Sequence, residues 1–152
     1  MATMLVHDVM STSPVTVSPG TSVADLLAAF DRHDFNAFPV VDTHGRLLGV
    51  VSKLDVLRAF LAGWDPPRPA DTSVAGERVE ALMTTDVASV GPEDDLVVAG
   101  ELMIGAKLQS LPVLERRDGA PALVGMVSRG DVLRGLRYRL VDATGTGGPD
   151  SA

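Results

Sequence analysis

Gly49-Val50-Val51-Ser52-Lys53-Leu54-Asp55 runs out of a β-branched stretch into what reads as the start of a helix, and the chain writes it a second time as Gly125-Met126-Val127-Ser128-Arg129-Gly130-Asp131. Both copies continue with Val-Leu-Arg, at Val56–Arg58 and Val132–Arg134. Working backwards, Phe38-Pro39-Val40-Val41-Asp42 precedes the first copy and Leu111-Pro112-Val113-Leu114-Glu115 the second. Further back, Val17-Ser18-Pro19 answers to Val90-Gly91-Pro92, and Val9-Met10-Ser11-Thr12 to Leu82-Met83-Thr84-Thr85. The offset is 73 until an insertion at Arg117-Asp118-Gly119-Ala120 and 76 after it. Five landmarks in one order, twice over, define an internal repeat, which is the first thing a chain of this length must be searched for.

Each half reads as a short strand, a helix, two strands and a second helix. Val15-Thr16-Val17 is a β-branched run stopped by Pro19-Gly20. Thr21 is the expected N-cap of a helix carrying Val23, Leu26, Leu27 and Phe30 at helical spacing. Phe38–Val41 opens a strand, with Pro39 tolerable near its start or at an edge. His44-Gly45 turns the chain, Leu47 to Val51 returns, and Ser52 opens a helix to about Leu61. In the second half Asp94 takes the place of Thr21, ahead of a helix from Leu96 to Ile104. That helix is apolar nearly all round, so it calls for cover on a second side, from the sister repeat or a second subunit. The expected boundaries are residues 1–62 for the first repeat, a proline-rich connector at 63–76 in which Trp64 packs on the core, a second repeat at 77–140 and a disordered tail at 141–152.

Composition narrows the function. The 152 residues are 45% hydrophobic and 22% charged, the profile of a globular chain. Thirteen basic against twenty acidic residues give a net charge of −7, which disfavours extended contact with nucleic acid. With no cysteine, disulfides, thiolate chemistry and zinc-thiolate sites are excluded. No apolar run is long enough to span a membrane, and Met1–Leu5 lacks the features of a signal peptide, so a cytoplasmic protein is expected.

The chemistry concentrates in the repeated Gly-to-Asp segment. A strand feeding a helix start presents main-chain N–H groups and the positive end of a dipole, which suit an anion. A basic residue, Lys53 or Arg129, follows the serine and suits a phosphate, while Asp55 or Asp131 has the two acceptor oxygens that fit the vicinal hydroxyls of a ribose. Ser-x-x-Asp is equally the pattern of a capping box. The two readings are compatible, since one carboxylate accepts from main chain and from sugar alike. No P-loop, nucleophile elbow or acid–base dyad accompanies it, and a non-enzyme is expected. His7, His33 and His44 have no ligating spacing, Glu93-Asp94-Asp95 reads as charge complementing a helix start rather than a metal cluster, and Arg129, Arg134, Arg137 and Arg139 as a basic end to the last helix.

Together these signatures, across about Val6–Phe60 and Val79–Leu136, resemble the CBS domain family. The resemblance implies an α+β fold: a tandem pair of β-α-β-β-α repeats related by a pseudo-twofold, with small three-stranded sheets packed with helices, often associated into a dimer. It implies clefts between the repeats that hold AMP, ADP or ATP, less often S-adenosylmethionine or NAD, and no other cofactor. Carried over, Thr12, Pro14 and Val15 surround the adenine in one cleft, Ala37 and Phe38 line its wall, and Ser52, Lys53 and Asp55 meet ribose and phosphate. The other cleft takes Thr85, Val87, Ser110, Leu111, Ser128, Arg129 and Asp131. Family members that grip phosphate firmly carry Arg or His before the Leu-Pro-Val strand; here Asn36-Ala37 and Gln109-Ser110 stand there, which leaves Lys53 and Arg129 as the phosphate contacts. The expected function is a regulatory sensor of an adenosine ligand acting on an unnamed protein partner, and the alternative is a dimeric interaction scaffold with vestigial clefts.

Overall fold

The structure, a computed structural model, describes residues 3–61 and 76–144, and the side chains of these as far as residue 141. The connector as far as residue 75, Trp64 with it, and the tail from residue 145 lie outside the described residues. The elements are α1 (Val6–Val9), α2 (Val23–Arg32), β1 (Ala37–Val41), β2 (Leu47–Ser52), α3 (Lys53–Leu61), α4 (Val79–Leu82), α5 (Leu96–Ala106), β3 (Ser110–Arg117), β4 (Ala120–Ser128) and α6 (Arg129–Thr144). The last helix therefore continues four residues into the stretch expected as tail. The α+β class stands.

The chain divides into two compact units, Val15–Val87 and Met1–Pro14 with Ala88–Ala152. These are not the two sequence repeats, because the opening segments are exchanged. Residues 1–14 belong to the unit built from the second repeat, and residues 79–87 to the unit built from the first.

In the Val15–Val87 unit, β1 and β2 form an antiparallel hairpin in which Phe38 faces Val51 and Val40 faces Gly49. Its turn is set by Asp42, whose Oδ1 accepts from the amides of His44 (2.8 Å) and Arg46 (2.9 Å), with Gly45 at φ 79°. The third strand expected at Val15–Val17 shrinks to one parallel bridge, Val17 to Val40. Val17 donates to the Pro39 carbonyl and accepts from Val41, and with Pro14 and Pro19 on either side the ladder goes no further. On the other edge Val50 and Thr84 exchange main-chain bonds of 2.9 and 2.8 Å. The N-cap of α2 is Ser22, which accepts from Asp25 N at 3.1 Å, one residue later than expected. Thr21 instead closes the preceding turn, its hydroxyl accepting from Ser18 N. Val23, Leu26, Ala29, Phe38, Val40, Val51, Val56 and Val79 form the core.

The other unit repeats the plan. β3 pairs with β4, Val90 bridges Val113, and Ser11 exchanges main-chain bonds of 2.8 and 3.0 Å with Met126. Asp95 caps α5 through Val97 N, while Asp94 is used one turn earlier, accepting from Gly91 N at 2.7 Å. Val6, Val90, Leu96, Ala99, Met103, Leu111, Val113, Val127 and Val132 form this core. Burying such side chains contributes about 1.5–3 kcal/mol each. Helix α5 buries Leu96, Ala99 and Met103 but leaves Val97, Val98 and Ile104 exposed at 43%, 41% and 81%. The cover expected for its second side is not supplied by the described chain.

Candidate functional site

The strand-to-helix junctions sit in equivalent places, one per unit. At the first, Ser52 N donates to Asp55 Oδ2 at 2.8 Å, the Ser52 hydroxyl donates to the same oxygen at 3.0 Å, and Asp55 N donates back to Ser52 Oγ at 3.1 Å. At the second, Ser128 N donates to Asp131 Oδ2 at 2.8 Å and Asp131 N to Ser128 Oγ at 3.2 Å. Both capping boxes are thus formed. The next amide is also taken: Lys53 N donates to the Asn36 carbonyl and Arg129 N to that of Gln109. The helix starts are therefore largely satisfied from within, contrary to the expectation of several open amides.

The second oxygen of each carboxylate takes no part in the cap, and the two copies use it differently. Among the described residues, Asp55 Oδ1 meets the Thr84 hydroxyl, at 3.4 Å. Asp131 Oδ1 is held by the Arg134 guanidinium, one helical turn along α6. The cations differ as well. Lys53 Nζ lies 5.7 Å from the centre of the Phe30 ring, whereas Arg129 Nε donates to the Leu108 carbonyl at 2.9 Å. Phe30, His33, Phe35 and Phe38 cluster beside Lys53, with the His33 and Phe35 rings stacked at 5.5 Å and 8°.

The exchange of opening segments regroups the expected ligand residues. Val15, Ala37, Phe38, Ser52, Lys53, Asp55, Thr85 and Val87 share the Val15–Val87 unit. Thr12, Pro14, Ser110, Leu111, Ser128, Arg129 and Asp131 share the other. Thr12 and Pro14 thus share a unit with Asp131, and Thr85 and Val87 share one with Asp55. Phe38 and Leu111 are fully buried in the two cores, so their side chains build the interior instead of a cleft wall. Ala37, Ser110, Ser52, Ser128, Asp55 and Asp131 are half-buried, and Thr12, Thr85, Lys53 and Arg129 are exposed.

Sequence reasoning singled out neither Thr84 nor Arg134 as a partner of the aspartates. Thr84 carried a signal, lying beside Thr85 in a repeated landmark. Glycines make the close approach of these segments possible. A Cβ on Gly49 would stand 2.6 Å from the Thr84 carbonyl oxygen, and one on Gly125 2.6 Å from that of Ser11. Elsewhere the charged groups serve the fold. Asp95 is held below the ordinary carboxylate value of 3.8 first by the Val97 amide and then by Arg139, which reaches it at 2.9 Å. Asp42 is lowered chiefly by the Arg46 amide in its turn. Among the described residues there is no cluster of three potential metal ligands and no helix long and apolar enough to cross a membrane.

The CBS domain model matches residues 6–62 and 79–138, each stretch carrying one Ser-x-x-Asp junction at a strand end, and the chain belongs to the CBS domain family. It is 30% identical over 128 residues to the CBS domain-containing protein YhcV of Bacillus subtilis, covering 84% of this chain and 81% of YhcV. The crystal structure of the CBS-pair protein CBSX2 from Arabidopsis thaliana superposes with a TM-score of 0.77 at 29% identity, over 91% of this chain and 98% of that one. CBSX2 in complex with AMP superposes at 0.73 and 30% identity, over 90% and 98%. Enzymes also contain such a stretch: the A-adding tRNA nucleotidyltransferase of Aquifex aeolicus is 27% identical over 135 residues, 89% of this chain but 15% of the enzyme.

Proposed function

We propose that the chain is a regulatory, non-catalytic module that binds an adenosine-containing nucleotide of the AMP, ADP or ATP type at its Ser-x-x-Asp junctions. The observation that carries this reading is Asp55: one carboxylate oxygen completes the helix cap, and the other, among the described residues, faces a hydroxyl at 3.4 Å, a length at the weak limit of hydrogen bonding. A ribose diol donating to that oxygen forms a charge-assisted bond, stronger than a neutral one. Lys53, exposed beside it, supplies the cation for a phosphate. The 30% identity to CBSX2, seen with AMP, supports the same ligand class. Binding shifts the module between conformations only by its differential affinity for them, and so alters affinity for a protein partner.

Thermal melting against AMP, ADP, ATP, NAD and S-adenosylmethionine tests this. A ligand at about a hundred times its Kd adds roughly 2.7 kcal/mol, which for a chain of this size is a rise of about 5–10 °C. Asp55→Ala is expected to abolish or sharply reduce the rise while the ligand-free protein still melts cooperatively, and a flat panel with the native chain overturns the reading.

The exposed apolar face of α5 favours a second reading, an interaction scaffold that pairs through Val97, Val98 and Ile104 with a second copy of the chain. The two are compatible. A flat melting panel together with a dimer in solution leaves the scaffold alone.

A further inference from the structure

The two junctions share one sequence pattern but not one chemical state. In the Val15–Val87 unit the outer oxygen of Asp55 meets a neutral hydroxyl, Thr84 Oγ1. Arg58, the repeat counterpart of Arg134, forms no ion pair with Asp55 among the described residues. In the other unit Arg134 occupies the outer oxygen of Asp131, whose side chain is only 13% exposed. A guanidinium already on a carboxylate competes directly with a ribose hydroxyl, and being charged it is the stronger donor. The neighbouring cations repeat the contrast. Lys53 Nζ has no carboxylate partner among the described residues and rests on Phe30, while Arg129 is tethered through Nε to Leu108. The exposed Phe35, stacked on His33, precedes Asn36, whose carbonyl accepts from Lys53 N at the first junction, and its counterpart at the second is the aliphatic Leu108. Exposed aromatic faces are what nucleobases stack on.

We propose that the two sites are unequal: the chain takes one adenosine nucleotide tightly, at Asp55, while Arg134 acts as an internal latch that lowers the affinity of the Asp131 site. This rests on the nucleotide-binding reading above. Arg134 is a positioning residue here, acting through Asp131 rather than on the ligand. The latch is a partly exposed pair within one helix, Arg134 being 58% exposed, so its release changes affinity modestly. On the scale of such pairs that is about two- to five-fold.

Isothermal titration of the intact chain with AMP decides it. The native protein is expected to show one tight site per chain. Asp55→Ala removes that site, with the melting curve of the unliganded variant confirming that it is folded. Arg134→Gln tightens the second, weaker site by two- to five-fold, and Arg58→Gln, the matched change at the first junction, leaves both sites as they were. Two equal sites in the native chain, survival of the tight site in Asp55→Ala, or weaker binding in Arg134→Gln would each overturn the latch while leaving nucleotide binding in place. No AMP binding to the native chain at any concentration overturns the functional reading, and the latch with it.

Discussion

Asp55 and Asp131 each do two jobs with one carboxylate, and the division between the jobs is atomic. Oδ2 belongs to the helix cap in both copies. The Ser-x-x-Asp spacing made that cap legible from the sequence, because a capping box is local and needs only three residues of separation. The state of Oδ1 was not legible. Thr84 reaches Asp55 from 29 positions away, and Arg134 lies one turn from Asp131 on a helix whose sequence twin, Arg58, makes no such pair. Side-chain choices of that kind depend on what each unit packs nearby, which no repeat pattern records. The glycines ahead of the motif are a plainer case. Gly125→Ala puts a methyl 2.6 Å from the Ser11 carbonyl oxygen and 2.8 Å from Met10 Sδ, where main chain on one side cannot give way. It is expected to destabilise the protein by about 1–3 kcal/mol. Gly20→Ala, with nothing within 4 Å, is expected to change stability by less than about 0.5 kcal/mol. Urea denaturation of the two variants beside the parent measures both.

At the scale of elements, all the expected helices and hairpins of the described residues are present, since apolar periodicity and turn residues speak for themselves. The short helices α1 and α4 were not expected, the third strand of each sheet is a single bridge, and the remaining misses are at helix ends. Both caps fall one residue later than expected, because Thr21 and Asp94 satisfy the turn before each helix and leave Ser22 and Asp95 to the helix itself. At α5 this has a pH signature. The folded pKa of Asp95 is depressed, first by the Val97 amide and then by Arg139, so its contribution to stability is present above the ordinary value of 3.8 and lost as pH falls through the depressed folded value. Asp95→Ala is expected to lower stability by about 1 kcal/mol at pH 7, the usual effect of losing an N-cap. Denaturation midpoints of variant and parent, followed from pH 7 towards pH 3, are expected to converge at the acid end. A gap that persists unchanged at low pH would show that Asp95 acts through packing and not through its charge.

For the molecule as a whole, the duplication was visible in five landmarks, but the exchange of opening segments was not. Repeats that are contiguous in sequence suggest units that are contiguous too. Which copy of a short segment closes which sheet is decided by tertiary contacts, since Val9–Thr12 and Leu82–Thr85 are near-equivalent and each fits either edge by local pattern alone. The apolar circumference of α5 was also legible, and its exposed Val97, Val98 and Ile104 set the oligomer test. The parent chain is expected to sediment as a dimer, and Val98→Glu with Ile104→Glu as a single chain that still melts cooperatively. A parent that sediments as one chain at every concentration tried would remove the scaffold reading.

The exchanged segments also impose an order on synthesis. The contact between Thr84 and Asp55 spans 29 positions, whereas Arg139 bonds the Met4 carbonyl across 135. As the polypeptide leaves the ribosome, Val15–Val87 has every piece it needs when little more than half of the chain is out. Residues 4–11 emerge earlier and must wait, their apolar Val6, Val9 and Met10 unclaimed, until α6 has been made. A nascent chain of this design is therefore most exposed to misassembly, or to chaperones, at its oldest end.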